Sequence, residues 1–515
     1  MKKKLQLLLI ALAVYLLLLC LLLAAERTAD GAAIHSFGDA LWYSLITMTT
    51  VGYGDLSPVT PWGRLIGILF ALSSVGILAA LIGIALHLVG EQLLPKLRLF
   101  FRRGRSWAVF SAANEESLTL AAALLRNEAS CTVILPPEAS GSLPGAVSLR
   151  ADAAELIALH KNTSGLTFYF LGDDLWKNYT SALEAAKKQL PVYCMSSQTD
   201  DFTSEYLHLF SRSEMLGRFY WQQYPLLRQE QTVVLIGCGE NGSALLERAL
   251  LINIFENGRR TNYHVFRDSA GFQQLHPVLV AALRPAGTGS DTLLFHAEAW
   301  ETAHELLKSA DRIIFCDDSD ERNLADYDRL LRWFAVSGSV HLRLTAPVPN
   351  LVSFGACEDL FTPDFVMKDA LNHRAKLMNE IYNRNASHPA AWQELSPFLK
   401  QSNIAAADHL PVKVRILLGD DAPSAPGSDV LRRAYRQYHS LLPEKADFFR
   451  EIEHRRWMRF YQLYNWEASP QREDAMRRHP LLRPYEQLDE ADRRKDDYAW
   501  EMLGLLSEAV PEEQL

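Results

Sequence analysis

The sequence predicts an α-helical membrane segment, then two parallel α/β domains in tandem, then an all-helical C-terminal region. Two long uncharged runs, Leu5 to Ala25 and Leu65 to Val89, open the chain. From Trp107 onward, short apolar runs alternate with amphipathic stretches, and after Pro347 the strand-like runs stop. At 515 residues the chain is too long for one core, since domains usually run to about 100–200 residues, so three or four units are expected.

Each uncharged run is long enough, at 1.5 Å per helical residue, to cross a roughly 30 Å hydrocarbon layer. A secretory signal would have an apolar stretch of about 7–15 residues, shorter than the first run. Lys2, Lys3 and Lys4 precede the first run, and Lys96, Arg98, Arg102, Arg103 and Arg105 follow the second. Basic flanks stay in the cytoplasm, which predicts a multi-pass membrane protein with both termini cytoplasmic and residues 26–64 facing out. The six cysteines form no CxxC pair and read as reduced core residues. A net charge of −9 gives no support to nucleic-acid binding.

Between the spans, Ser36 and Asp39 make a capping-box-like start for the helix "GDALWYSLITMT", too short to cross a membrane. It can only dip in and return. Irregular backbone at that depth must be buried by protein or line water, and "TVGYGD", Thr50 to Asp55, follows at once. Successive carbonyls of Thr50, Val51, Gly52 and Tyr53 can replace the hydration shell of potassium, and Gly52 and Gly54 allow the dihedrals this needs. The alternative is a chance turn beside a membrane anchor. One chain supplies a quarter of each oxygen ring, so a homotetramer in a lipid bilayer follows.

These residues resemble those of two-span potassium channels, from Leu5 to about Gly90. The resemblance implies a selectivity filter at Thr50, Val51, Gly52, Tyr53, Gly54 and Asp55, with potassium held by filter carbonyls as the only metal. It implies an aromatic cuff at Trp42 and Tyr43, with Asp55 at the outer mouth. It also implies a gating hinge at Gly76, with Gly67, Gly83 and Gly90 as competitors, although small residues also allow close helix packing. His87, the only ionisable residue of its span, is either an interfacial histidine or a pH sensor at the inner mouth. The span has no arginine-rich voltage sensor, so the trigger lies elsewhere.

The runs "WAVFSA", "CTVILP", "AVSL", "TFYFLG" and "PVYCMS" predict a parallel sheet with crossover helices, and "TVVLIGCGENG", "NYHVF", "TLLFH", "RIIFCDD" and "SVHLRL" repeat the order. A duplication is visible where "FYFLGDDLWKNYTSALEAAKK" aligns with "IIFCDDSDERNLADYDRLLRW". In both, a strand ends in paired aspartates and an asparagine opens a helix. Two Rossmann-like domains are therefore expected, joined near Gln229.

In the second, Gly237, Gly239 and Gly242 stand in GxGxxG register between strand Val233 to Ile236 and a helix from Ser243 to Phe255, where a phosphate can reach backbone and helix terminus. Candidate nucleotide-binding residues are Gly237, Gly239, Gly242, Arg267, Asp268 and Asp317. The glycines equally serve strand–helix packing alone. The pairs Asp173-Asp174 and Asp317-Asp318 either cap helices or bind calcium. The first domain has "SAANEES" in the equivalent place, without glycine, and is expected to be scaffold.

A pore followed by tandem Rossmann-like domains resembles the RCK (regulator of potassium conductance) architecture. The resemblance implies a gating ring of such domains that pulls on the inner helices through the short connection Leu94 to Arg105. Farther on, Glu453, His454, Trp457, Trp466, His479, Pro480, Leu482, Pro484, Tyr485, Leu488 and Asp497 resemble the ryanodine-receptor repeat (RyR) domain in its bacterial form, with Asn465 where that family often has glycine. This implies a ligand site among His454, Arg455, Arg456, Trp457, Trp466 and Tyr485. Arg455, Arg456, Arg459, Trp457, Tyr461 and Trp466 mix cations with flat rings, which suits nucleobases and phosphates, while Trp457 and Trp466 read equally as core with the arginines solvated around them. His454 and His479 lack metal-ligand spacing with any cysteine.

The expected fold is an α-helical membrane pore domain (1–95), a linker (96–105), α/β tandem Rossmann-like domains (106–228 and 229–355) and a C-terminal all-α RyR-like region (356–508). The expected function is a ligand-gated potassium channel sensing a small cytosolic ligand, NAD or another nucleotide, and the RyR resemblance suggests an antiphage defence effector. The alternative, a membrane-anchored NAD-linked oxidoreductase, lacks a nucleophile, base or metal constellation beside the fingerprint.

Overall fold

The computed structural model describes the chain except residues 1, 128–129, 161, 198–204, 257, 285–290, 385, 387, 443 and 510–515. The side chains of 2–12, 73–78, 80–81, 84–88, 91–92 and 164 also lie outside the description. The chain divides into two units, Met1–Phe101 and Arg102–Leu515.

The first unit is helical: α1 (Lys2–Glu26), α2 (Phe37–Met48), α3 (Pro61–Leu88), one π-helical turn (Val89–Leu93) and α4 (Leu94–Phe101). The expected capping box forms, with Ser36 N donating to Asp39 Oδ2 at 2.8 Å and Asp39 N to Ser36 Oγ at 3.2 Å. Leu19, Leu22, Ile34, Ala40, Ile66 and Phe70 pack these helices together. Among the described residues no helix is long and apolar enough to cross a membrane. The runs Leu5–Ala25 and Leu65–Val89 fall in part outside those residues, as do the surroundings of Gly76 and His87.

The second unit holds two six-stranded parallel sheets. The first comprises β1 (Ser106–Phe110), β2 (Cys131–Leu135), β3 (Val147–Ser148), β4 (Leu166–Phe170), β5 (Val192–Met195) and β6 (Leu207–Phe210), in the order β3-β2-β1-β4-β5-β6. The second comprises β7 (Thr232–Ile236), β8 (Asn262–Phe266), β9 (Thr292–His296), β10 (Arg312–Phe315), β11 (Ser339–Arg343) and β12 (Val352–Phe354), in the order β12-β11-β10-β7-β8-β9. These are the same doubly wound order read from opposite edges, with the switch points between β1 and β4 and between β7 and β10. The last strand of each sheet was not expected. Both are short edge strands without a sustained apolar run, and β12 carries the strand-forming region beyond Pro347.

The duplicated asparagines do one job twice. Asn178 accepts from Gly172 N at 3.1 Å and donates to Gly172 O at 2.7 Å and Met195 O at 3.3 Å. Asn323 accepts from Asp317 N at 3.0 Å and donates to Asp317 O at 2.9 Å and Arg343 O at 2.8 Å. Each ties two neighbouring strand ends to the helix that follows.

The C-terminal region is built on helices Pro397–Leu418, Ser428–Leu441, Ala446–Leu463 and Tyr498–Ala509. It is not wholly helical: Glu467–Ala468 pairs with Arg478–His479 as a two-residue ladder. Its helices share a continuous core with both sheets, in which Ala405, Val412 and Phe460 join Leu216, Leu245 and Leu124.

Candidate functional site

Three places carry chemistry. In the first unit, Thr50, Gly52 and Gly54 have φ of +60°, +55° and +75°, whereas Val51 and Tyr53 do not enter the left-handed region. Alternating handedness turns successive carbonyls the same way, the geometry a ring of oxygens requires. Thr50 enters this region without being glycine, at a cost of about 1–2 kcal/mol. Behind the segment stands α2: Val51 N and Gly52 N both donate to Ile46 O, at 3.0 and 3.1 Å. Trp42 Nε1 donates to Asp55 Oδ2 at 3.0 Å, and its ring stacks on Tyr53 with centroids 6.3 Å apart. In the single chain Val51 is 53% and Tyr53 70% exposed. Of the competing hinge glycines, Gly67 is a packing residue, because a Cβ there would lie 2.5 Å from the Tyr43 hydroxyl.

The second place is the glycine crevice at the β7–β10 switch point. The helix starts at Glu240, three residues earlier than expected, and runs to Ile252. Gly237, at φ +96°, lies where a Cβ would be 2.6 Å from Asp317 N, and a Cβ on Gly242 would be 2.0 Å from Gly237 O. Both glycines are thus required by packing, whatever else they serve. Arg267 turns inward, donating to Asp317 Oδ2 at 3.3 Å and to the buried Asp326 Oδ2 at 2.8 Å, while Asp268 stays exposed. Asp317 also accepts from Ser319 N at 3.1 Å and from Arg322 at 2.9 Å. Burial opposes its charge, but these donors prevail and hold the carboxyl below its ordinary value. The six expected residues therefore cluster, but Arg267 and Asp317 satisfy each other. Of the aspartate pairs, Asp174 caps a helix through Lys177 N at 3.0 Å, and Asp173 accepts from Asn114 Nδ2 at 3.1 Å.

The third place is a cleft of about 1210 Å³ between helix Ala446–Leu463 and the strand-and-turn segment after it. His454, Trp457 and Tyr461 line one wall; Arg472, His479, Arg483, Lys495 and Asp496 line the other. Trp457 is half-buried, 4.3 Å from the Tyr461 ring centroid and 5.0 Å from that of His479. On the floor, buried Glu453 pairs with Arg456 at 2.7 Å and Lys413 at 2.8 Å. Although burial opposes ionisation, these cations bring the Glu453 carboxyl down to about 2. Burial and the nearby Glu453 charge push the Asp496 carboxyl up to about 8. Burial lowers His454, whose Nε2 donates to Arg483 O at 2.9 Å. Arg483 Nε is buried without a hydrogen-bond partner.

Only two of the six residues expected in this site, His454 and Trp457, line the cleft. Arg455 donates to Phe255 O, Arg456 is spent on Glu453, Trp466 is core against Phe398, and Tyr485 donates to Asp447 Oδ1 at 2.7 Å. Helical spacing carries the distinction: 454, 457 and 461 share one face, 453, 456 and 460 a second, and 455 and 459 a third. Arg472, Arg483, Lys495 and Asp496 come from turns and short helices, where no periodicity marks them. Among the described residues no His, Cys, Asp and Glu cluster could hold a metal ion.

Residues 5–91 match the family model described as an ion channel. A voltage-gated potassium channel of Aeropyrum pernix is 47% identical over 58 residues, which are 11% of this chain and 20% of that protein. Potassium voltage-gated channel subfamily A member 5 of Homo sapiens is 45% identical over 51 residues, 10% of this chain and 8% of that one. The chain thus spans one fifth or less of the length of these relatives. A crystal structure of GsuK bound to ADP is similar over 70% of this chain and 98% of that chain, at 16% identity and a TM-score of 0.32.

Proposed function

We propose that this chain is one subunit of a homotetrameric, potassium-selective channel of a bacterial inner membrane, gated by a small ligand bound in its C-terminal cleft, and that it is not an enzyme. The observation that carries the channel reading is the alternating backbone of Thr50 to Gly54, braced by α2 inside the segment that matches the ion-channel family. The exposure of Val51 and Tyr53 in a lone chain fits a surface completed by three further copies.

The cleft supports the ligand half of the reading. A flat ring can stack on Trp457, a phosphate can pair with Arg472, Arg483 and Lys495, and a neutral Asp496 can donate a hydrogen bond to a base edge. This combination suits a nucleotide. A ligand gates only through differential affinity for open and closed states.

The test is potassium flux into liposomes carrying the purified protein, with and without NAD, ADP and cyclic nucleotides. Potassium-selective flux that responds to one of them, and loses the response in Trp457→Ala, is expected. No flux, or flux unaltered when Gly52 is replaced by valine, would sink the channel reading; flux indifferent to Trp457→Ala would sink the cleft.

A further inference from the structure

In a doubly wound domain the phosphate of a dinucleotide sits beyond the first strand, on backbone N–H groups that open the following helix. In the second domain that seat is taken by a side chain of the protein itself. Asp318 Oδ2 accepts from Glu240 N at 2.9 Å, and Oδ1 accepts from Asn241 N at 2.9 Å and Asn241 Nδ2 at 2.8 Å. A Cβ on Gly239 would lie 2.2 Å from Asp318 Oδ2, so the carboxylate covers the glycine face that a pyrophosphate would approach.

The carboxylate is delivered by a fixed turn. Asn323 holds Asp317 through both its N–H and its carbonyl, and Arg343 donates to the carbonyls of Asp317 and Asp318. The Gly237 backbone packs against Asp317 with no room for a side chain. In the first domain the equivalent helix start is served by Asn114, whose Oδ1 accepts from Ser117 N at 3.2 Å.

We propose that Asp318 is a tethered anion that fills the phosphate seat, so that the glycine crevice excludes nucleotide phosphates and serves as a lock between the β7 and β10 turns. An incoming phosphate would lose the two backbone donors and meet a like charge at contact. The inference does not rest on the channel reading.

The test uses the full-length protein in detergent, carrying Trp457→Ala and Arg483→Ala so that the C-terminal cleft does not contribute. Equilibrium binding of ADP and of inorganic pyrophosphate is measured with Asp318 intact, with Asp318→Ala and with Asp318→Asn. No saturable binding with Asp318 intact, and at least a tenfold gain in affinity in Asp318→Ala, is expected. Binding with Asp318 intact as tight as in the variants, or no gain in either variant, overturns the proposal. Should Asp318→Ala fail to fold, the near-isosteric Asp318→Asn decides in the same two ways. Channel failure appears only in the flux assay, so the two readings fail separately.

Discussion

At the scale of single residues, the duplicated asparagines and one acid make the sharpest predictions. Asn323 is fully buried and makes three hydrogen bonds to main chain, so Asn323→Ala removes all three, leaves the Asp317 N–H without its acceptor and leaves the Asp317 carbonyl only its bond from Arg343. A loss of about 2–4 kcal/mol is expected, with a similar loss for Asn178→Ala, read as denaturation midpoints. Asp496 titrates at about 8 in the folded chain against an ordinary 3.8, so the native state holds an extra proton across that window. Its contribution to stability therefore falls as pH rises from about 4 to about 8. Asp496→Asn should flatten the slope of stability against pH and gain on the order of a few kcal/mol at pH 8. A slope unchanged by the variant would refute the assignment.

At the scale of elements, helix Glu240–Ile252 is held at both ends. Asp318 caps its start, while Arg459 donates to Leu250 O at 3.4 Å and His409 and Arg455 reach Ile254 O and Phe255 O just past its end. Arg455 and Arg459 project from the same helix, Ala446–Leu463, whose other face presents His454 and Trp457 to the cleft. Arg459 thus ties that helix directly to helix Glu240–Ile252, and Arg455 ties it to the turn that follows. Arg459 also makes a buried pair with Asp291 at 2.6 Å. Arg459→Ala strands that carboxylate, and a loss of about 3–5 kcal/mol is expected by thermal or chemical unfolding. Arg459→Ala with Asp291→Asn should recover part of it.

At the scale of the whole molecule, residues 102–515 form one unit whose core runs without a break from the first sheet to the C-terminal helices. Buried pairs reinforce the join: Arg218 meets Asp408 at 2.8 Å, and Arg248 meets Glu214 at 2.8 Å. The fragment 102–515 is expected to fold alone and to unfold in a single transition by calorimetry, with equal calorimetric and van't Hoff enthalpies. Deleting residues 229–515 should leave the first domain insoluble, because helix Arg212–Gln223 would lose the partner into which Trp221 Nε1 donates at Leu245 O. Two resolved transitions for 102–515 would show separable domains.

The sequence by itself determined the capping box at Ser36, the glycine-permitted backbone at Gly52 and Gly54, the two parallel sheets and their duplication, because each depends on neighbours within one element or on a period of two or 3.6. It left open what the GxGxxG glycines face, and only the tertiary structure decided that Asp318, 79 residues beyond Gly239 by the numbering, sits where a phosphate would go. The short edge strands β6 and β12 and the turn-borne Arg472, Arg483 and Asp496 escaped for the same reason. Their placement is fixed by partners remote in the chain, and charge or burial assigned across such distances leaves no periodic trace in the sequence.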